Sequence, residues 1–169
     1  MRYIGNKTKL LDFIEYGIDH FKIEGKIFAD IFSGTCAVGD NFKDRYEIIA
    51  NDFLYSSYVL SKAKLMNSNT PKFKGFNIDN YHSPFDYLNN KNYIPNEHFF
   101  IYQNYSPKSE RQFFSIENAI KIDGMRIDIE EFYTKEVSEG EYYFLLASLL
   151  ESVTKVSNTS GTYEAFFKF

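Results

Sequence analysis

The stretch IFADIFSGTCAVGDNF, residues 27–42, runs from a short apolar segment through a turn of small residues into a resumed helical pattern. Its first part, within KIFADIF, has the continuous apolar character of a buried parallel strand. The Ser33-Gly34-Thr35 turn would then expose backbone N–H groups at the carboxyl end of that strand, where α/β sheets bind ligands. Gly34 and Gly39 do not reproduce the dinucleotide fingerprint, and the lysine of a phosphate-binding P-loop is missing. Neither a pyrophosphate nor a triphosphate is therefore the natural ligand. A plain strand-to-helix turn satisfies the same pattern and stays open at this point.

Working outward, YEIIAND reads as a second strand ending at Asn51-Asp52, at roughly the 20-residue distance at which a Rossmann-like unit places its ribose-binding carboxylate. Asp52 fits that role, and it also fits a cap on the following helix, LYSSYVLSKAKLM. Upstream, KTKLLDFIEYGIDHF puts Leu10, Leu11, Ile14 and Ile18 on one helical face, with Thr8 as a candidate cap. Before it, RYIGNK supplies an aromatic residue, a glycine turn and Lys7, which is placed either to meet a carboxylate or to sit in a solvated N-terminus. Strand, helix, strand, helix predicts a parallel crossover and an α/β fold.

From Asn67 the composition changes. NSNTPKFKGF and NNKNYIPNEH carry the breakers of irregular connections, FFIYQNY has the residues of a strand, and SIENAIKIDGMRIDIEEF and EYYFLLASLLESVTKVSN read as helices. Ser115 caps the first of these, which tolerates an internal Gly124.

Several classes are bounded by composition. With 169 residues, 44% hydrophobic and 25% charged, the chain has the size and composition of one globular domain. A net charge of -4 argues against a broadly basic nucleic-acid surface and leaves only a local basic face. One cysteine, Cys36, rules out an internal disulfide and suits a reducing compartment. No run is long enough to cross a bilayer and no signal-type apolar region opens the chain, so we read a cytoplasmic protein with no membrane partner. Cys36 with His20, His82 and His98 forms no ligand spacing, so no metal is expected.

Five ordered segments, RYIGNKTKLL, FADIFSGTCAVGDNF, ANDFLYSSYVL, IYQNYSP and SNTSGTYEAFFK, resemble the DNA adenine-N6 methyltransferases of the Dam-like class, which use S-adenosylmethionine. The resemblance covers almost the whole chain. It implies that Tyr3, Gly5 and Lys7 lie against the methionine end of the cofactor. Asp30, Phe32, Ser33, Gly34 and Thr35 would form the cofactor loop, Asp52 would bind the ribose, and Phe53 would flank the adenine ring. It implies further a partial Rossmann-like methyltransferase sheet over residues 1–70 and a mainly helical target-recognition region over 71–169. There Lys108, Arg111, Arg126 and Lys155 could meet double-stranded DNA, each also being readable as a solvated charge.

One departure qualifies the resemblance. The family's Asp-Pro-Pro-Tyr catalytic motif needs adjacent prolines, whereas Pro71, Pro84, Pro95 and Pro107 all stand apart. NYSP, residues 104–107, lies before the recognition helices, where the family order does not put that motif. No catalytic residue is therefore assigned. The expectation is the N-terminal part of a restriction-modification adenine methyltransferase, cut before its catalytic motif, inactive alone, and completed by a second polypeptide or paired as a homodimer. The competing readings are a non-enzymatic module that binds DNA or S-adenosylmethionine, and an unrelated nucleotide-dependent enzyme.

Overall fold

A computed structural model describes residues 5–133, 135–159 and 165–168. They fall into two compact units, the first ending at Pro71 and the second starting at Lys72.

In the first unit a 3₁₀ turn, Thr8–Leu10, leads into α1, Leu11–His20. Thr8 does not cap it. The Asn6 side chain accepts from the Thr8 N–H instead, so the cap falls one turn earlier and serves the 3₁₀ turn. Strand β1, Ile27–Asp30, is followed by α2, Ala37–Phe42, then β2, Glu47–Ala50, and α3, Tyr55–Leu65. The two strands are parallel, with Phe28 opposite Ile48 and Asp30 opposite Ala50. Beyond the ladder the Asn51 N–H donates to the Asp30 carbonyl and the Ser33 N–H to the Asn51 carbonyl. These bonds carry the pairing to the mouth of the loop.

One face of the sheet packs on Ile18, Val38 and Phe42, with Leu11, Ile14, Phe28, Tyr46 and Ile48 around them. This is the predicted inward face of α1, except that Leu10 is exposed, because the 3₁₀ turn rotates it off the helical stripe. The strand is not buried on both sides as its unbroken apolar run predicts. Ile27, Ile31 and Ile49 point away from this core and are 57%, 59% and 51% exposed. Period-2 alternation puts them on the opposite face, which no described element of the unit covers.

The second unit is mainly helical: α4 (Pro84–Asn90), α5 (Phe100–Asn104), α6 (Ile116–Tyr133) and α7 (Glu139–Val156). Ser115 Oγ accepts from the Asn118 N–H and starts α6. A capping box of Ser138 and Glu141 starts α7. A short link joins these two helices, and they pack against each other around Ile129, Phe132, Leu145 and Leu146.

FFIYQNY, read as a strand, is α5. The reason is a distant cap: the Asp123 carboxylate on α6 accepts from the Ile101 N–H at 3.0 Å and from the Tyr102 N–H at 2.8 Å. It thereby satisfies two of the donors that a helix start leaves open. With Asp123 buried, Asp123→Ala removes both bonds and is expected to destabilise the second unit by about 1–2 kcal/mol, as loss of a cap does. Denaturant unfolding followed at the α5 signals checks this, and an unchanged midpoint would return the helix to local propensity.

Candidate functional site

The loop after β1 is held by its neighbours at almost every residue. Gly34 takes a left-handed φ of 52°, which a side chain would disfavour. Its N–H donates to Asp52 Oδ2 at 2.8 Å, while Oδ1 of the same carboxylate accepts from the Leu54 N–H at 3.1 Å. Asp52 therefore stands at the loop and braces Leu54, the residue that caps α3, without being the cap itself. These two backbone donors, Leu54 before Gly34, hold the Asp52 carboxyl below the usual carboxylate range. The Ser57 hydroxyl and the Phe53 N–H add to them, so the protein's own donors already engage most of the roughly four lone-pair sites of this carboxylate.

Lys7 crosses from the N-terminal segment to the same place. Its Nζ donates to the Phe32 carbonyl at 2.6 Å and stands 3.6 Å from Asp30 Oδ1. Asp30 is 9% exposed, and its Oδ2 is buried without a hydrogen-bond partner among the described residues. A buried carboxylate oxygen without a donor is costly, which makes Asp30 a place where a ligand donor would be favoured.

Gly5 sits in a turn at φ 84°, and Tyr3 lies outside the described residues. Ser33 and Thr35 are buried in the loop. Phe32 and Phe53 are 75% and 99% exposed, so both rings are available to flat ligands and neither is part of the core. Buried Cys36 has its thiol pushed up by that burial, which leaves it an inert packing residue rather than a nucleophile. Among the described residues no group of three His, Cys, Asp or Glu side chains could hold a metal ion, and no helix is long and apolar enough to cross a membrane.

The four cations singled out in the sequence belong to the second unit. Lys108 is exposed, with Nζ 4.7 Å from the centre of the Tyr102 ring, and Arg111 is exposed three residues later. Asn158 donates from its side chain to the Gln112 carbonyl and from its backbone to the Phe113 carbonyl. These bonds bring the segment holding Lys108 and Arg111 beside the end of α7, which carries Lys155. Arg126 stands apart on α6, bonded to Glu130 at 2.6 Å.

Sequence reasoning missed the side chains that α3 sends to the loop. Ser61 Oγ lies 3.4 Å from Ser33 Oγ, and Lys64 Nζ donates to the Thr35 carbonyl at 2.9 Å. Their spacing along the helix was the available signal.

This parallel βαβ unit, with its small-residue loop, a carboxylate at the end of each strand and a lysine beside the first, lies in a chain whose sequence matches a recognised family. Residues 3–169 match the D12 class N6 adenine-specific DNA methyltransferases, and the chain belongs to that family. It is 56% identical to the modification methylase LlaI of Lactococcus lactis subsp. lactis, across 100% of this chain and 27% of that protein. It is 41% identical to the type II methyltransferase M.FokI of Planomicrobium okeanokoites, over 99% of this chain and 27% of the relative. Identity is also 41% with M.NlaIII of Neisseria lactamica, over 99% of this chain and 49% of the relative. The chain thus spans between about a quarter and a half of the length of these relatives. No solved structure matches it at a significant level.

Proposed function

We propose that this chain is the cofactor-binding and target-recognition part of a site-specific DNA adenine methyltransferase of a restriction-modification system, and that it transfers no methyl group by itself. The cofactor is S-adenosylmethionine, which supplies a methyl group on a positively charged sulfur. The observation that carries this reading is Asp30: a buried carboxylate oxygen without a donor among the described residues, next to a lysine ammonium. An α-amino acid end group is complementary to that pair, its ammonium meeting Asp30 and its carboxylate meeting Lys7. Asp52 would accept from the ribose hydroxyls by sharing its oxygens with the donors it already holds. The exposed ring of Phe53 would cover one face of the adenine, and the loop from Phe32 to Thr35, with Gly34 bare of a side chain, would let the ligand approach the backbone. Tyr3 and Gly5 complete the set through the family resemblance.

What these residues do is bind and orient. None is a general base or an adenine-stacking group paired with a carboxylate, and the 169 residues contain no adjacent prolines of the Asp-Pro-Pro-Tyr kind. Methyl transfer to the exocyclic amine of a flipped adenine requires such groups from elsewhere. The isoleucine face of the two-stranded sheet supports the same reading, since Ile27, Ile31 and Ile49 together form apolar surface that a completing polypeptide or a second copy would cover. In a completed enzyme the sheet would extend into the Rossmann-like form.

Calorimetric titration of the 169-residue chain with S-adenosylmethionine tests the proposal, with micromolar binding expected. Transfer of labelled methyl groups to DNA should be absent for the chain alone and should appear on adding the remaining portion of a relative such as M.NlaIII. Transfer by the chain alone would overturn the claim of inactivity. DNA binding with no transfer after that addition would favour a non-enzymatic module.

The recognition role makes its own prediction. Lys108→Ala and Arg111→Ala should each weaken binding to duplex DNA and lower the salt dependence by about one counterion for each phosphate no longer neutralised. Arg126→Ala should do less, because Glu130 already engages that guanidinium. Fluorescence anisotropy across a salt series reads this out. Equal affinity at low salt for all of these variants would leave the cations as solvated charges.

A further inference from the structure

Helix α3 turns three polar side chains inward at a spacing that usually carries an apolar stripe. Ser57, Ser61 and Lys64 stand four and three residues apart, which places them on one face of the helix. Ser57 and Ser61 are buried at 0% and 7% exposure. Buried hydroxyls on a core-facing stripe need partners, and each of these has its partner in or beside the loop. Ser57 bonds the Asp52 carboxylate. Ser61 faces the Ser33 hydroxyl and bonds the Cys36 thiol. Lys64 donates to the Thr35 carbonyl.

The far end of the stripe is itself fixed. Lys43 donates to the Lys64 carbonyl at 2.8 Å, to the Asn67 carbonyl at 3.1 Å and to Asp40 Oδ1 at 2.8 Å. Asp40 Oδ2 stands 3.9 Å from Lys64 Nζ, so the ammonium is drawn toward the α2 side as well as toward the loop. The loop that results contains two left-handed residues, Gly34 at φ 52° and Cys36 at φ 56°. Only glycine adopts that conformation without cost, and a cysteine keeps it only where its surroundings over-determine it. The three side chains of α3 are those surroundings.

We propose that Ser57, Ser61 and Lys64 are positioning residues that impose the shape of the ligand loop from α3 before any ligand arrives. What the loop binds rests on the cofactor reading above, whereas its shape does not. Lys64 is the most informative member. It is partly exposed, so its substitution spares the core, and it acts on a carbonyl whose orientation governs the N–H of the next residue, Cys36.

The test uses Lys64→Met and Lys64→Arg in the full chain, with amide hydrogen exchange measured by NMR in the absence of ligand. In Lys64→Met the Gly34 and Cys36 amides, bonded to Asp52 Oδ2 and to the Ser33 carbonyl, should exchange about tenfold faster, while the Glu47 amide of β2 and the Asn51 amide just beyond it, both bonded to β1 or its flank, keep their rates. Lys64→Arg, which retains a donor, should restore slow exchange. Loop and strand amides speeding up together would mean a merely structural role and would overturn the proposal, as would no change in either. Titration of the same proteins with S-adenosylmethionine separates the two claims. If the wild-type chain fails to bind it, the cofactor reading falls and the exchange result still decides the loop. If it binds, Lys64→Met should bind at least fivefold more weakly, and equal affinity would show that the imposed shape does not serve the ligand.

Discussion

Asp52→Ala is expected to lower the affinity for S-adenosylmethionine by about two orders of magnitude or more. Hydrogen bonds to a charged group contribute about 1.5–3 kcal/mol each, and every 1.4 kcal/mol is about tenfold in binding. In the proposed reading two ribose hydroxyls on one carboxylate would account for the loss, and release of the Gly34 N–H would add to it by freeing the loop. Calorimetry measures the affinity, and the Gly34 amide resonance reports the loop separately. An unchanged affinity would remove Asp52 from the ligand site and leave it a brace between the loop and α3.

The same carboxylate predicts a pH dependence whose sign is fixed by its donors. The Leu54 and Gly34 N–H groups favour the charged form and lower the folded-state value below the unfolded carboxylate range near about 3.9. The brace is therefore fully present above that range and is lost only as pH falls through the lower folded value. Binding should show no titration from Asp52 between neutral pH and about pH 5. A midpoint for the Gly34 amide above the ordinary carboxylate range would contradict the bond.

Gly124→Ala should be among the most destabilising single changes in the second unit. An added Cβ would stand 2.1 Å from Tyr93 Cδ1 and 2.5 Å from its Cγ. The ring has nowhere simple to go, because its hydroxyl donates to Asp128 Oδ2 at 3.0 Å. That carboxylate is gripped in turn by Lys91, 2.9 Å from each of its oxygens. Burial, reinforced by the Asp128 charge, pushes the Tyr93 phenol up, so it is a protonated donor at neutral pH. Alanine improves helix propensity by about 0.8–1.0 kcal/mol over glycine. Overpacking of about 1–3 kcal/mol, with a similar loss if Tyr93 is expelled and leaves Asp128 short of a donor, exceeds that gain. A net loss of about 2–3 kcal/mol should appear as a lower denaturation midpoint. Adding Tyr93→Ala should recover part of the clash, giving a coupling well outside additivity. A more stable Gly124→Ala would mean that the close approach is not maintained in solution.

These two changes mark different degrees of legibility. Asp52 was visible in the sequence, because a strand, a small-residue loop and a second strand ending in an acid form a local pattern with a known spacing. Gly124 was visible only as a glycine that a helix tolerates; the ring that requires it comes from a segment read as irregular. The alternation in KIFADIF gave no warning that Ile27 and Ile31 would face outward, since apolar residues on both faces are also what a doubly covered strand contains. For α5 the sequence pointed to the wrong element, because five aromatic-rich residues carry strand propensity and their helical cap lies on Asp123, about twenty residues further on.

By itself, then, the sequence determined the order of strands and helices in the first unit and the Ser115 cap of α6, while the resemblance it carries implied that Lys7, Asp30, the loop and Asp52 belong together. Periodicity, capping and motif spacing act over a few residues or over one βαβ repeat, and so can be read along the chain. Only the tertiary structure decided that Asp30 keeps an oxygen without a donor among the described residues, that Asp52 serves the loop and α3 together, that the polar stripe of α3 faces the loop, and that α5 is a helix. Each of these depends on where a distant side chain arrives, and long-range packing overrides local propensity wherever a buried polar group has to find its partner.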